Sequence, residues 1–275
     1  MAERERSPLE GKRIVITRAA TQSEALSKQL SKLGAIPVIL SLVTFAEPED
    51  FSALDQAIAQ MDRFDWVILT SGQSVRAIVA RSESLKIPLG QAGKKSLIAA
   101  VGPASAEAVR LAGLPVEYVA TVHNGVALAE ELGKRLRGQR VLLPRSDRAN
   151  PDLPAALKRH GALVTEVVAY RTLQPTDVDK QNLGRLVMGE ADAILFFSPS
   201  AVHNFVASAG VDVLRGLQDR LAITAVGPVT ACALRDRGAE RIVVAADTTA
   251  LAVVQALEEY FARTMKQATG GMRRG

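Results

Sequence analysis

A single cysteine, Cys232, stands in a chain of 275 residues. It can form no internal disulfide and no thiolate metal cluster, and such sparing use of cysteine points to a cytoplasmic protein. Aromatic residues make up only 4%, too few for the stacking platforms that hold single-stranded nucleic acid, so no nucleic-acid partner is expected. No apolar run approaches the roughly 20 residues that cross a bilayer; the clearest, Ala193–Phe197, is far shorter. The opening residues Met1–Pro8 are charged and lack the apolar stretch of a secretion signal, so no membrane partner is expected either. The three histidines, His123, His160 and His203, fall in separate segments without metal-ligand spacing and read as surface or helix-end residues. Neither G-x-G-x-x-G nor G-x-x-x-x-G-K-[ST] occurs, which argues against a dinucleotide or P-loop nucleotide site, and no nucleophile elbow is visible. Chemistry in this chain has to rest on positioning, electrostatics and hydroxyl groups, with no cofactor. Cys232, in a helical pattern, reads as a small core residue.

What the chain does contain is itself twice over. Arg18 and Arg145, Gly34 and Gly161, Pro48 and Pro175, and Ser71 and Ser198 are each 127 positions apart, within similar surroundings. Gly102-Pro103-Ala104-Ser105-Ala106 and Gly227-Pro228-Val229-Thr230-Ala231 are 125 apart. So long a period means duplication of a domain-sized unit rather than a solenoid. Runs rich in Ile, Val and Leu at about 13–17, 36–40, 66–69, 97–101 and 116–119 lack alternation and read as strands buried on both faces. Helix-period segments lie between them; Leu26, Leu30 and Leu33 share a face, and Gly34, Gly113 and Gly238 fit helix ends. Alternating strands and helices predict an α/β protein with parallel sheets. The residues leave two wirings open: a cut at the repeat boundary near 133–138, or a double crossover through 41–48 and 168–175.

In such sheets ligands bind beyond the carboxyl ends of the strands. The turns there are Thr17-Arg18, Thr70-Ser71-Gly72-Gln73, Arg145-Ser146-Asp147, Ser198-Pro199-Ser200, and the two Gly-Pro turns at Gly102 and Gly227 with Ser105 and Thr230. Small residues, hydroxyls and open backbone N–H groups at helix starts suit an anion. A lone serine or threonine in this place is usually just a cap; repetition at one strand end after another favours a site. The net charge of +5 fits an anionic small molecule, though ordinary solvated surface accounts for most of it. Tyr170 corresponds to Val43 under the repeat. Its phenol can donate a proton to a leaving group, or its ring can simply pack at a domain edge; spacing alone favours packing.

Taken in order, Thr17-Arg18, Asp65…Leu69-Thr70-Ser71, Ala100–Ala106, Val167–Tyr170, Phe196–Ser200 and Ala225–Ala231 resemble the uroporphyrinogen-III synthase family along nearly the whole chain. The resemblance implies two similar flavodoxin-like α/β domains joined by a two-stranded β linker. Their expected extents are 1–40 with 175–265, and 46–168, with linkers at 41–45 and 169–174 and a disordered tail at 266–275. It implies a hydro-lyase that cyclises hydroxymethylbilane in the interdomain cleft without a cofactor, inverting ring D through a spirocyclic intermediate. Tyr170 would be catalytic. Thr17, Arg18, Ser71, Gln73, Gly102, Ser105, Arg145, Ser198, Ser200, Gly227 and Thr230 would bind substrate. Ser105 stands where the family often has threonine, Gln73 where asparagine is common, and Arg145-Ser146 where Arg-Gly is common. A monomer is expected, with hand-over of substrate from the preceding bilane-forming enzyme. The rival expectations are a non-catalytic two-domain binding or sensor protein for an anionic small molecule, and a regulatory protein using a synthase-like domain.

Overall fold

The computed structural model describes residues 7–92, 95–246 and 249–271. The chain runs β1 (Arg13–Ile16), α1 (Ala20–Lys32), β2 (Ile36–Ile39), β3 (Thr44–Ala46), α2 (Ser52–Ala59), β4 (Trp66–Leu69), α3 (Gly72–Leu85), α4 (Leu89–Ala92), β5 (Leu97–Ala100), α5 (Pro103–Leu111), β6 (Tyr118–Val119) and α6 (Gly125–Leu132). It continues through β7 (Arg140–Ser146), α7 (Asp152–Arg159), β8 (Leu163–Leu173), α8 (Lys180–Val187), β9 (Ala193–Phe196), α9 (Pro199–Ala209), α10 (Val211–Leu217), β10 (Ala222–Val226), α11 (Pro228–Arg235), β11 (Ile242–Ala245) and α12 (Ala250–Gly271). Two compact units result: Met1–Thr44 with Leu173–Gly275, and Phe45–Thr172.

The first unit holds a five-stranded sheet in the order β11-β10-β9-β1-β2, with every neighbouring pair parallel. The second holds a six-stranded sheet in the order β3-β8-β7-β4-β5-β6, parallel from β8 to β6. Taking β1 or β7 as the first strand, both sheets read 2-1-3-4-5, the doubly wound order whose reversal point lies between the first and third strands. That point falls between β1 and β9 in one unit and between β7 and β4 in the other. Each unit therefore combines the first strand-helix-strand of one sequence copy with the later strands of the other.

The strands form because their side chains have apolar helices on both sides. Trp66–Leu69 and Ala193–Phe196 are buried throughout, and each large apolar side chain so buried contributes about 1.5–3 kcal/mol. In the first unit, one face of the sheet packs Leu26 and Leu30 of α1 with Val253 and Leu257 of α12. In the second, Leu54 and Ile58 of α2 and Val75 and Ile78 of α3 cover one face; Leu128 of α6 and Leu157 of α7 cover the other. A repeated aspartate secures the reversal point in each. Asp192 accepts the Arg13 backbone N–H at 2.8 Å, and Asp65 accepts that of Arg140 at 2.7 Å. Gly34, Gly113 and Gly238, expected at helix ends, all have positive φ, the conformation a left-handed cap needs.

Two expectations need correction. Cys232 is exposed. On α11 the buried side chains are Thr230, Ala231, Ala233 and Leu234, and Cys232 lies on the opposite side of that stripe. The tail expected to be disordered from 266 instead continues α12 through Gly271, while 272–275 lie outside the described residues. Among the described residues, no helix is long and apolar enough to cross a membrane.

Candidate active site

The candidate residues gather at the carboxyl ends of adjacent parallel strands, in two clusters, one per unit. In the first unit, Thr17-Arg18 follows β1, Ser198-Pro199-Ser200 follows β9, and Gly227 follows β10. In the second, Arg145 ends β7, Ser71 follows β4, Gly102 follows β5, and Tyr170 lies in β8.

In the first cluster, Ser198 caps α9 by accepting the Ala201 N–H at 3.2 Å, and Ser200 sits half-buried in the first turn. Gly227 precedes α11 at φ 87° and ψ 161°, a conformation that essentially only glycine adopts. Thr230, one turn on, is buried. The Arg18 guanidinium stacks on the Phe197 ring, 4.8 Å from its centroid, just past the end of β1. Thr17 is buried, and its hydroxyl donates to the Leu195 carbonyl at 2.7 Å, so it ties β1 to β9.

In the second cluster, Ser71 caps α3. Its Oγ accepts the Ser74 N–H at 3.1 Å and lies 3.3 Å from the Tyr170 hydroxyl. Phe45 meets the Tyr170 ring edge-on at 5.5 Å between centroids. Gln73 accepts from the Arg76 guanidinium at 2.9 and 3.2 Å. Phe45, Gln73, Arg76 and Tyr170, with Phe51 and Arg81, line a recess of about 270 Å³. Arg81 stacks 3.9 Å over Phe51 and forks onto Asp55 at 2.6 and 2.7 Å. The hydrogen bond from Arg81 holds the Asp55 carboxyl below its usual range. Gly102 precedes α5 with extended backbone; a Cβ there would come within 3.3 Å of His123. Ser105 is buried one turn on, as Thr230 is in α11.

Arg145 sits at the strand edge, but its guanidinium is turned inward and only 6% of the residue is exposed. One nitrogen donates to Glu166 at 3.1 Å and another to the Asn150 carbonyl. Burial pushes its pKa down, partly offset by Glu166. It therefore braces the 147–150 loop. Arg76, Phe45 and Thr172 were not singled out from the sequence. Arg76, three residues after Gln73 on a helix, carried a spacing signal; the others reach the site through long-range pairing. His160 ends α7 and lies 2.9 Å from Glu130, and His203 is exposed.

The fold and these strand edges define a class: a two-unit, doubly wound α/β protein with hydroxyl- and glycine-bearing helix starts beyond its strand ends. The comparisons narrow the class. A family model described as Uroporphyrinogen-III synthase HemD matches residues 24–255. A uroporphyrinogen-III synthase of Synechococcus elongatus is 30% identical over 262 residues, spanning 94% of this chain and 98% of the relative. A putative uroporphyrinogen-III synthase of Methanothermobacter thermautotrophicus is 28% identical over 82% of this chain and 89% of its own length. The crystal structure of a mutant uroporphyrinogen III synthase from Thermus thermophilus matches with a TM-score of 0.66 and 24% identity, covering 94% of this chain and all of that one. The chain belongs to the uroporphyrinogen-III synthase family, a family of enzymes.

Proposed function

We propose that this chain catalyses the uroporphyrinogen-III synthase reaction: cofactor-free ring closure of hydroxymethylbilane, with inversion of ring D and loss of water. The observation that carries the proposal is the family match over residues 24–255, joined to two strand edges furnished for an anionic ligand. The substrate bears an acetate and a propionate on each pyrrole. Helix starts after β4, β5, β9 and β10 offer backbone N–H groups to these carboxylates, each contributing about 0.3–1 kcal/mol when exposed and up to ~2 kcal/mol when partly buried. Arg18, stacked on Phe197, adds a cation.

Tyr170 acts on the leaving group. As the terminal hydroxyl departs, the phenol supplies the proton that makes it water, and the remaining bilane becomes an electrophilic azafulvene. Ring D is attacked at its substituted α carbon, giving a spirocyclic intermediate. That intermediate opens and recloses with ring D turned over. The bilane also closes unaided to the symmetric isomer, so the protein's principal contribution is holding a flexible chain in the arrangement that favours the spiro route. Such preorganisation is worth ~7–11 kcal/mol in the best intramolecular cases, and general-acid help adds ~10²–10⁴ in rate.

Incubation with hydroxymethylbilane and separation of the product isomers tests the proposal, with the type III isomer as the expected product. Exclusive type I product would leave a non-catalytic binding or sensor protein as the better reading. Tyr170→Phe is expected to lower kcat by about 10²-fold or more while the residual product stays inverted. A full rate in that variant removes Tyr170 from the mechanism.

A further inference from the structure

The Tyr170 hydroxyl reaches Ser71 only because β8 is irregular there. Along β7 and β8 the residues pair in step through Arg145 and Val168, but Ser146 then pairs with Tyr170. Ala169 is thus an extra residue, a β-bulge that re-aims the side chain after it. In a regular strand Ala169 and Tyr170 would point to opposite faces. Here both pack against the core formed by α2 and α3, Ala169 buried and Tyr170 beside it. That places the phenol over the start of α3, 3.3 Å from Ser71 Oγ.

The bulge is held by groups that have no other evident task. Asp147 Oδ1 accepts the Thr172 backbone N–H at 2.9 Å and the Ser146 hydroxyl at 2.9 Å. The Asp147 N–H in turn donates to the Tyr170 carbonyl at 3.2 Å. Ser146 Oγ and Thr172 Oγ1 lie 2.6 Å apart, with Thr172 buried. Arg145, bonded to the Asn150 carbonyl, braces the far end of the same loop. Loop 146–150 is therefore stitched to β8 at the Tyr170 carbonyl and at Thr172. A strand left free to slip back by one residue would carry Tyr170 to the other face of the sheet.

We propose that Asp147 and Thr172 are positioning residues that act through the backbone of β8 to fix the Tyr170 hydroxyl beside Ser71. The proposal rests on the proposed role of Tyr170 for its effect on rate, but its effect on the phenol stands alone. Two variants open the stitch: Asp147→Ala removes the acceptor, and Thr172→Val removes the hydroxyl while keeping the shape. Asp147→Asn keeps an oxygen able to accept the Thr172 N–H and serves as the rescue.

The experiment uses the full chain labelled with ζ-¹³C-tyrosine. It holds three tyrosines, Tyr118, Tyr170 and Tyr260, so the Tyr170 resonance is the one missing from Tyr170→Phe. In Asp147→Ala that resonance is expected to move or broaden while the other two stay in place, and Asp147→Asn returns it. Steady-state kinetics with hydroxymethylbilane should show kcat falling about tenfold or more, within the ~10²-fold that a misplacement of ~1 Å can cost, with KM nearly unchanged. In the Tyr170→Phe background the same substitution should add less than about twofold, since residues acting as one unit are not additive. An unmoved Tyr170 resonance in a folded Asp147→Ala protein overturns the proposal, as do effects of Asp147→Ala and Tyr170→Phe that multiply. Should Asp147→Ala not fold, Thr172→Val carries the same readouts. Should Tyr170→Phe keep full rate, the catalytic role of Tyr170 fails, and the resonance still decides whether Asp147 positions it.

Discussion

The same arginine has opposite fates in the two units. Arg18 and Arg145 occupy equivalent positions in the repeat, each just beyond or at the end of the first strand of its sheet. Arg18 remains half-exposed against Phe197, while Arg145 is buried against Glu166 and the Asn150 carbonyl. The glycines before α5 and α11 diverge as well. Gly227 needs positive φ and has open space at its α carbon, whereas Gly102 is extended with His123 packed against it. Two sheets of the same strand order therefore present different edges. One carries a cation stacked on a ring and a positive-φ glycine turn; the other carries a hydroxyl pair, Ser71 and Tyr170, beside a braced loop. A shared scaffold fixes where these groups stand, and local contacts decide what each is bonded to.

The largest test of this contrast is at the arginines. Arg145→Met should cost about 1–3 kcal/mol in urea unfolding, the scale for leaving a hydrogen-bonding group without its partner, because the Asn150 carbonyl loses its donor. Arg18→Met should cost under about 1 kcal/mol, the scale of an exposed cation–ring contact, while raising KM for the bilane under the proposed function. Equal stability losses would erase the distinction between a buried, bracing arginine and a half-exposed, ring-stacked one.

The glycines come next. Gly227→Ala forces a side chain into a glycine-only backbone region, and about 1–3 kcal/mol of destabilisation is expected from chemical denaturation. Gly102→Ala asks only that His123 give way by a few tenths of an ångström, so its cost should be the smaller of the two. The reverse order would show that contact, rather than backbone conformation, governs these turns.

Acid should sharpen the comparison more gently. In the second unit, the Arg81 hydrogen bond lowers the Asp55 pKa. Burial opposes a similar shift at Glu131, but the Thr121 and Val122 N–H groups and the Tyr118 hydroxyl overcome it and hold that carboxyl low. Groups with depressed folded pKa values contribute stability that is present above the unfolded value, about 4, and is lost as pH falls through the folded values. Stability measured from pH 6 to pH 3 should therefore decline below about pH 4, and less steeply in Asp55→Asn combined with Glu131→Gln. An identical slope in that double variant would exclude both carboxylates as its source.

Much of this was legible in the chain. The strands were readable because Ile, Val and Leu run without alternation wherever both faces are covered, as at Trp66–Leu69 and Ala193–Phe196. Helix ends were readable at Gly34, Gly113 and Gly238 because only a residue without Cβ enters the left-handed cap cheaply. Cys232 was misjudged because an apolar neighbourhood in sequence does not say which side of a helix faces the sheet. Arg145 looked like a ligand-binding residue because its inward partners, Asn150 and Glu166, are set by how the loop and β8 return to β7. Tyr170 was singled out, yet spacing alone could not show that a bulge turns it toward Ser71.

The amino-acid sequence by itself determined the elements, the twofold repeat and the hydroxyl- and glycine-bearing turns, since local propensity, burial pattern and backbone sterics act over a few residues. The tertiary structure alone decided that β1 pairs with β9, that Arg145 bonds Glu166, and that Tyr170 meets Ser71. Each of these joins residues far apart in the chain, and only the free energy of burying and hydrogen-bonding them together selects one pairing among many.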